Sequence, residues 1–231
     1  MATTRRHGPN ALARRDALLR ATVEVAAERG TAGVTHRAVT ERAGLPLATV
    51  SYFFPSIEEL AEEALRTFTE AEAAVQIGLA EQLADAQNTP DEVAQAFAAA
   101  AAPRLPETMA MFEAYLHAAR KPEFREPVAA ALDALRTIAA AAVRAAGAPD
   151  PEAAAPAFTA LAHGFALHQL AAPDSVEPGA VHAASRALFL GYLLDNGYTD
   201  LALDLADSND RRGEKARDRR QDTAPRVGRN P

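Results

Sequence analysis

Between Gly30 and Leu60 the chain reads GTAGVTHRAVTERAGLPLATVSYFFPSIEEL, and this stretch restricts the fold more than any other. Thr35 can cap a short helix, because its hydroxyl can accept one of the unpaired N–H groups of the first turn. Val39 and Ala43 then share a face at i, i+4 spacing. Gly44 allows a left-handed backbone that a residue bearing a Cβ resists. Leu45 and Val50 suit the wedge between two helices. Two short helices are therefore predicted at about 36–43 and 47–53, with a tight turn at Ala43-Gly44-Leu45 and a third helix starting beyond Pro55. Leu47, Ala48, Thr49, Ser51 and Tyr52 are left facing outward. This is the helix-turn-helix arrangement, whose second helix presents its side chains to a major groove.

Proline and glycine divide the rest of the chain into helical lengths. A helix from near Ala11 ends at Gly30, and Ser56-Ile57-Glu58-Glu59 opens another with a capping-box pattern. That helix is predicted to reach about Asp85, roughly 45 Å at 1.5 Å per residue. Thr89-Pro90-Asp91-Glu92, Pro106, Pro127, the run Gly147–Glu152 and Pro178-Gly179 start further helices at about 91–101, 106–120, 126–146, 152–171 and 178–196, with a short one at about 199–206. Alanine dominates and no alternating strand pattern competes, so an all-α fold is expected. It comprises an N-terminal helix-turn-helix three-helix domain over 11–55 and a C-terminal helical bundle over 56–206. Residues 1–10 read as a flexible basic arm, and 207–231, which lack Leu, Ile and aromatic residues, as a disordered tail.

The chain has 231 residues and a formal charge of −7, which taken alone argues against a polyanion as partner. The distribution reverses that. Residues 1–54 hold eight arginines against four carboxylates, whereas residues 55–206 hold eight cations against 22 carboxylates. A basic head on an acidic body can be steered head-first to a nucleic acid. Cysteine is absent, which excludes disulfides and thiolate metal sites and fits a reducing cytoplasm. No apolar run approaches the roughly 18 residues of a membrane span, and the N-terminus lacks the apolar core of a signal peptide. A cytoplasmic location without membrane association is expected.

The run Leu18-Leu19-x-Ala21-Thr22-Val23-x-Val25, then Gly30, Val34-Thr35-x-Arg37, Val39, Ala43-Gly44-Leu45, Val50, Tyr52, Phe54-x-Ser56 and Leu60 resembles the N-terminal domain of TetR-type transcriptional regulators. The resemblance covers about residues 12–62. Ala26 stands where that family commonly has Phe, Thr40 where it has Ala, Ser51 where it has Tyr, and Ile57 where a phosphate-contacting lysine is common. The resemblance implies a homodimer that binds double-stranded operator DNA of pseudo-palindromic sequence, probes it with two recognition helices, and is released by a small-molecule effector of unspecified identity. It places Thr35, His36, Arg37, Pro46, Leu47, Ala48, Thr49, Ser51 and Tyr52 at the DNA. Thr49 and Ser51 can reach base edges or phosphate, Leu47 or Ala48 a thymine methyl, and Tyr52 a phosphate. Phe54 fits equally a core position clamping the next helix.

In the body, Phe97, Met109, Phe112, Tyr115 and Leu116, with His117 beside them, form an apolar and aromatic set that suits either a small-molecule pocket or plain core. Leu161, Phe165, His168, Leu188, Phe189 and Tyr192 resemble the family's two dimerising helices, where Gly164 and alanines would allow close approach. An intramolecular core is the other reading. His163 and His168 are five residues apart, so on a helix they face different directions and do not converge on one metal ion. No motif for catalysis or a cofactor is present, and Glu58, Glu59, Glu62 and Glu63 read as a solvated helix start. The readings that compete with a DNA-binding regulator are a helical interaction module that has lost DNA binding and a helical enzyme.

Overall fold

The computed structural model describes residues 9–84, 89–148 and 150–206, and every regular element among them is helical. The order is α1 (Pro9–Arg29), α2 (His36–Ala43), α3 (Ala48–Phe53), α4 (Ile57–Ala84), α5 (Pro90–Ala100), α6 (Glu107–Arg120), α7 (Arg125–Ala145), α8 (Pro151–Ala171) and α9 (Ala180–Asp195), followed by helical turns over 199–206. Local chemistry sets these boundaries. Thr35 accepts from the Ala38 N–H at 3.1 Å, and Gly44 ends α2 at φ 65°. Ser56 accepts from Glu59 N–H at 3.1 Å, one half of the expected capping box, while Thr89 and Glu92 cap α5 reciprocally. Pro90 and Pro151 occupy first turns, where a missing N–H costs nothing. The arm through residue 8, the predicted end of α4 near Asp85 and the tail from 207 lie outside the described residues.

Leu18, Val25, Val39, Val50, Phe54 and Leu60 form the core of the head. Leu60 and Ala64 belong to α4, so the first two turns of that helix are part of the head. The remainder of α4, 28 residues and about 42 Å in all, runs into the body and packs along α7. In turn α7 packs on α8, and α5 on α9, around Val143, Phe158, Phe189 and Leu193. Thr40, at a position where Ala was expected, is buried but satisfied, since its hydroxyl donates to His36 O at 2.8 Å.

Candidate nucleic-acid interface

The head divides α3 cleanly into two faces. Val50 is fully buried and Phe54 nearly so, which settles Phe54 as core, while Pro46, Leu47, Ala48, Ser51 and Tyr52 are exposed and Thr49 is half-buried. Leu47 is already helical in its backbone, so the exposed strip starts at the first turn. Tyr52 stands edge-on to Phe53, with ring centroids 4.7 Å apart, and that contact fixes the phenol on the outer face. Across from it lies the start of α1. Pro9, Asn10, Ala11 and Arg14 face Ala48, Thr49, Tyr52 and Phe53 over an open cleft of about 630 Å³. Arg14 and Asn10 were not among the sequence candidates, although an exposed arginine just after a basic arm was an available signal. At the N-terminus of α2, Thr35 is occupied as a cap and His36 is half-buried. Arg37 is exposed but pairs with Glu41, one turn on, at 2.7 Å. A phosphate contact from Arg37 must therefore compete with that carboxylate.

Charged contacts bind α1 to α4 within the head and the head to the body. Glu113 on α6 accepts from the Thr31 N–H at 3.1 Å, just beyond the end of α1, and its carboxylate lies 3.7 Å from the Cβ position at Gly30. Arg15 of α1 bonds Glu63 of α4 and sits 5.1 Å from the Phe54 ring centroid. Lys121 bonds Glu62 at 2.7 Å. The carboxylates of the first turns of α4, read from sequence as solvated, are thus partly used as ties. His117 lies in the same seam, its pKa lowered by burial, an effect that nearby Glu62 opposes.

The aromatic set divides into separate places. Phe112 and Tyr115 of α6 meet His163 of α8, with all three rings edge-to-face at 5.4–6.1 Å and the Tyr115 hydroxyl 3.3 Å from His163 Nε2. Burial pushes the Tyr115 phenol up to about 12 and lowers the His163 pKa, so both rings are neutral near pH 7. Met109 is half-buried on the same helix. Two of the expected pocket residues do not join them. Phe97 packs instead against Phe158 at 5.5 Å, among α5, α7, α8 and α9, and Leu116 is 48% exposed, turned away by the helical rotation that points Tyr115 inward. His163 is engaged by Tyr115 while His168 is exposed, so the two histidines do diverge.

A basic head that exposes the second helix of a helix-turn-helix pair was the decisive geometric feature, and sequence comparison agrees with it. The family model described as bacterial regulatory proteins, tetR family, matches residues 18–64, and that described as tetracyclin repressor-like, C-terminal domain, matches residues 84–193. The chain belongs to the TetR family. Among solved structures it is similar to a transcriptional regulator from Streptomyces coelicolor A3(2), at 28% identity over 76% of this chain and 98% of that one, with a TM-score of 0.56. A transcriptional regulator from Rhodococcus sp. Rha1 is 26% identical over 78% and 96% of the two chains, with a TM-score of 0.60. The multidrug binding protein EbrR, solved with proflavin, is 27% identical over 76% and 97%, with a TM-score of 0.53. No curated protein matches the chain in sequence.

In this TetR-family body the outer face of α8 and α9 differs from the expected interface list. Leu161 and Phe165 are half-buried and His168 is exposed. Phe189 is only 5% exposed, however, and packs on Phe158 inside its own subunit, so it offers nothing to a partner. Leu188 and Tyr192 are half-buried against the same core, and the Tyr192 hydroxyl donates to Asp150 O. The exposed strip consists instead of Ala157, Ala160 and Leu167 on α8, with half-buried Gly164 between them, and Ala183, Ala187, Gly191 and Leu194 on α9. A Cβ added at Gly164 or Gly191 meets no atom within 4 Å, so both glycines border open space. Among the described residues no helix is long and apolar enough to cross a membrane.

Proposed function

We propose that the protein is a homodimeric repressor that occupies a pseudo-palindromic operator and leaves it when a small molecule binds the body. One observation carries this reading: Pro46, Leu47, Ala48, Ser51 and Tyr52 form a continuous exposed strip on a helix whose other face is locked into a core. Polar Ser51 and apolar Leu47 and Ala48 on that strip, with half-buried Thr49 at its edge, are matched to hydrogen-bonding base edges and to thymine methyls. Arg14 and Tyr52, on either side of the cleft, are suited to clasp the phosphate backbone. Ile57 carries no charge to the start of α4, so phosphate contacts fall to α1, α2 and Tyr52. The small-residue strip on α8 and α9 supports dimerisation, because alanine and glycine let two helices from each subunit approach closely under a two-fold axis. Effector release is supported by the direct ties from α6 and α4 to the head and by the proflavin complex of EbrR.

The test is selection of bound fragments from random DNA, followed by affinity measured against salt on the selected sequence. A pseudo-palindrome bound by two protomers is expected, with log affinity falling with log salt at about 0.9 per neutralised phosphate. Weak binding without sequence preference, persisting as salt is lowered, would refute the reading and leave a helical interaction module.

A further inference from the structure

We propose that the cleft walled by α5, α7, α8 and α9 binds a small amphipathic acid, its apolar body against the alanine and phenylalanine wall and its carboxylate on the guanidinium edge of Arg186. The cleft measures about 390 Å³ counting its open mouth, of which about 20 Å³ is wide enough for water. Its lining is nearly all apolar, with Phe97, Val143, Phe158 and Phe189 as the larger walls and Arg186 as the one charged group among the described residues.

Arg186 gives the site its chemistry. Its Nη2 donates to the Leu205 carbonyl, while its Nε is buried and has no acceptor among the described residues. A charged N–H held out of water without a partner is costly, and an arriving anion removes that cost. Nε and Nη2 form one edge of the guanidinium, and Nη2 carries a second hydrogen, so this edge matches the two oxygens of a carboxylate. Two polar neighbours have partners other than Arg186. Asp91 on α5 directs its oxygens to His182 Nε2 at 3.1 Å and Gln95 Nε2 at 3.0 Å. Ser185 donates to His182 O at 3.0 Å. The apolar lining disfavours a wholly polar anion such as phosphate, which would lose its hydration against hydrocarbon.

The present width admits little more than a water molecule, so a ligand must part α5 from its neighbours. Ala94, Ala139, Ala142 and Ala146 line that seam, and such short side chains interdigitate little. The regulatory meaning of this site rests on the effector-responsive repressor proposed above, but the binding itself does not.

The experiment is calorimetric titration of the full-length protein with hexanoate, octanoate and decanoate, and with 1-octanol and octylamine as uncharged and cationic counterparts. At least one acid is expected to bind, and octanoate to exceed octanol by roughly tenfold or more. Arg186→Gln is expected to weaken the acid by roughly ten- to hundredfold while leaving octanol unchanged. Ala142→Leu, which narrows the cleft without touching Arg186, should weaken acid and alcohol alike. Far-UV circular dichroism and DNA binding without ligand should match the wild type in both variants. Absence of acid binding, a preference for octylamine, or acid binding indifferent to both variants overturns the site. Acid binding that survives a failure of the DNA selection leaves the site standing and removes only its role in repression.

Discussion

Leu60 is fully buried and packs with Leu18, Val39 and Val50, yet it sits on the first turn of the helix that enters the body. Replacing it with alanine removes three buried carbons, worth about 0.8 kcal/mol each in transfer free energy. The cavity left in a small core adds to this, for a total of about 3–4 kcal/mol. That corresponds to a rise of roughly two to three powers of ten in the population of the opened head. Because α4 continues into the body, the structure makes a sharper statement than a loss of stability. The α1–α3 head should open while α7 and α8 remain folded. The measurement is amide hydrogen exchange on the full-length Leu60→Ala variant, with Leu116→Ala as an exposed control expected to change stability by no more than about 0.5 kcal/mol. Peptides from α1 and α2 should lose protection and those from α7 and α8 should keep it. A loss spread equally over both regions, or one below about 1 kcal/mol in the head, would show that the start of α4 is not part of the head core.

Gly44→Ala places a Cβ where nothing lies within 4 Å but where φ is 65°, so its cost is backbone strain alone, about 1–2 kcal/mol; Gly44→Asn should cost less, and thermal unfolding of the pair separates strain from crowding. Tyr52→Phe should weaken operator binding by the loss of one hydrogen bond, about 0.5–1.5 kcal/mol, with the slope of log affinity against log salt unchanged because a neutral phenol displaces no counterion, whereas Arg14→Ala should reduce that slope by about 1; an unchanged affinity in Tyr52→Phe would remove its contact. Ala160→Glu combined with Gly191→Glu introduces two charges on the exposed strip of α8 and α9 and should convert the proposed dimer to monomers in sedimentation velocity; a dimer that forms in both wild type and variant would place the interface elsewhere. His163 and His117 have pKa values lowered by burial, so the unfolded chain binds more protons than the folded one as pH falls through the ordinary histidine value near 6.5. Their contribution to stability is therefore present above about pH 6.5 and lost as pH drops below it, and His163→Phe should flatten the midpoint of unfolding between pH 5 and 7.

Helix boundaries were legible from the sequence because they are fixed by local groups: Thr35, Gly44, Ser56, Thr89, Pro90 and Pro151 act within a turn of where they stand. The outward strip of α3 was legible for the same reason, since Val50 and Phe54 fix the inner face of a short helix. The body was harder to read because alanine fills its interior. On α6 the fully buried positions are Ala110, Ala114 and Ala118. A large apolar residue such as Leu116 is then no guide to the inside. On α9 the buried row is Val181, Ser185, Phe189 and Leu193, and the outward row carries small residues. The family resemblance placed Phe189 at the interface, but it belongs to the buried row. Phe97 was grouped with α6 because both are aromatic stretches, but the contact with Phe158 joins residues 61 positions apart that no local pattern links.

The geometry of α6 limits how strongly body and head can influence each other. Phe112 and Tyr115 face His163 on α8, while Glu113, between them in sequence, faces the other way and holds the Thr31 N–H. A rotation of α6 that opened the aromatic trio would carry the Glu113 carboxylate off Thr31. That bond is partly exposed, and a charged acceptor to a backbone N–H is worth about 1.5–3 kcal/mol at most. Coupling through it alone therefore cannot exceed roughly 10- to 150-fold in operator affinity, which matches the 1–3 kcal/mol typical of allosteric coupling. Glu113→Gln keeps an acceptor oxygen and should retain most of this coupling, whereas Glu113→Ala removes the acceptor and should abolish it while leaving ligand binding in the body intact. If Glu113→Ala responds to ligand as fully as the wild type, the connection runs instead through the first turns of α4, where Glu62 and Glu63 hold Lys121 and Arg15.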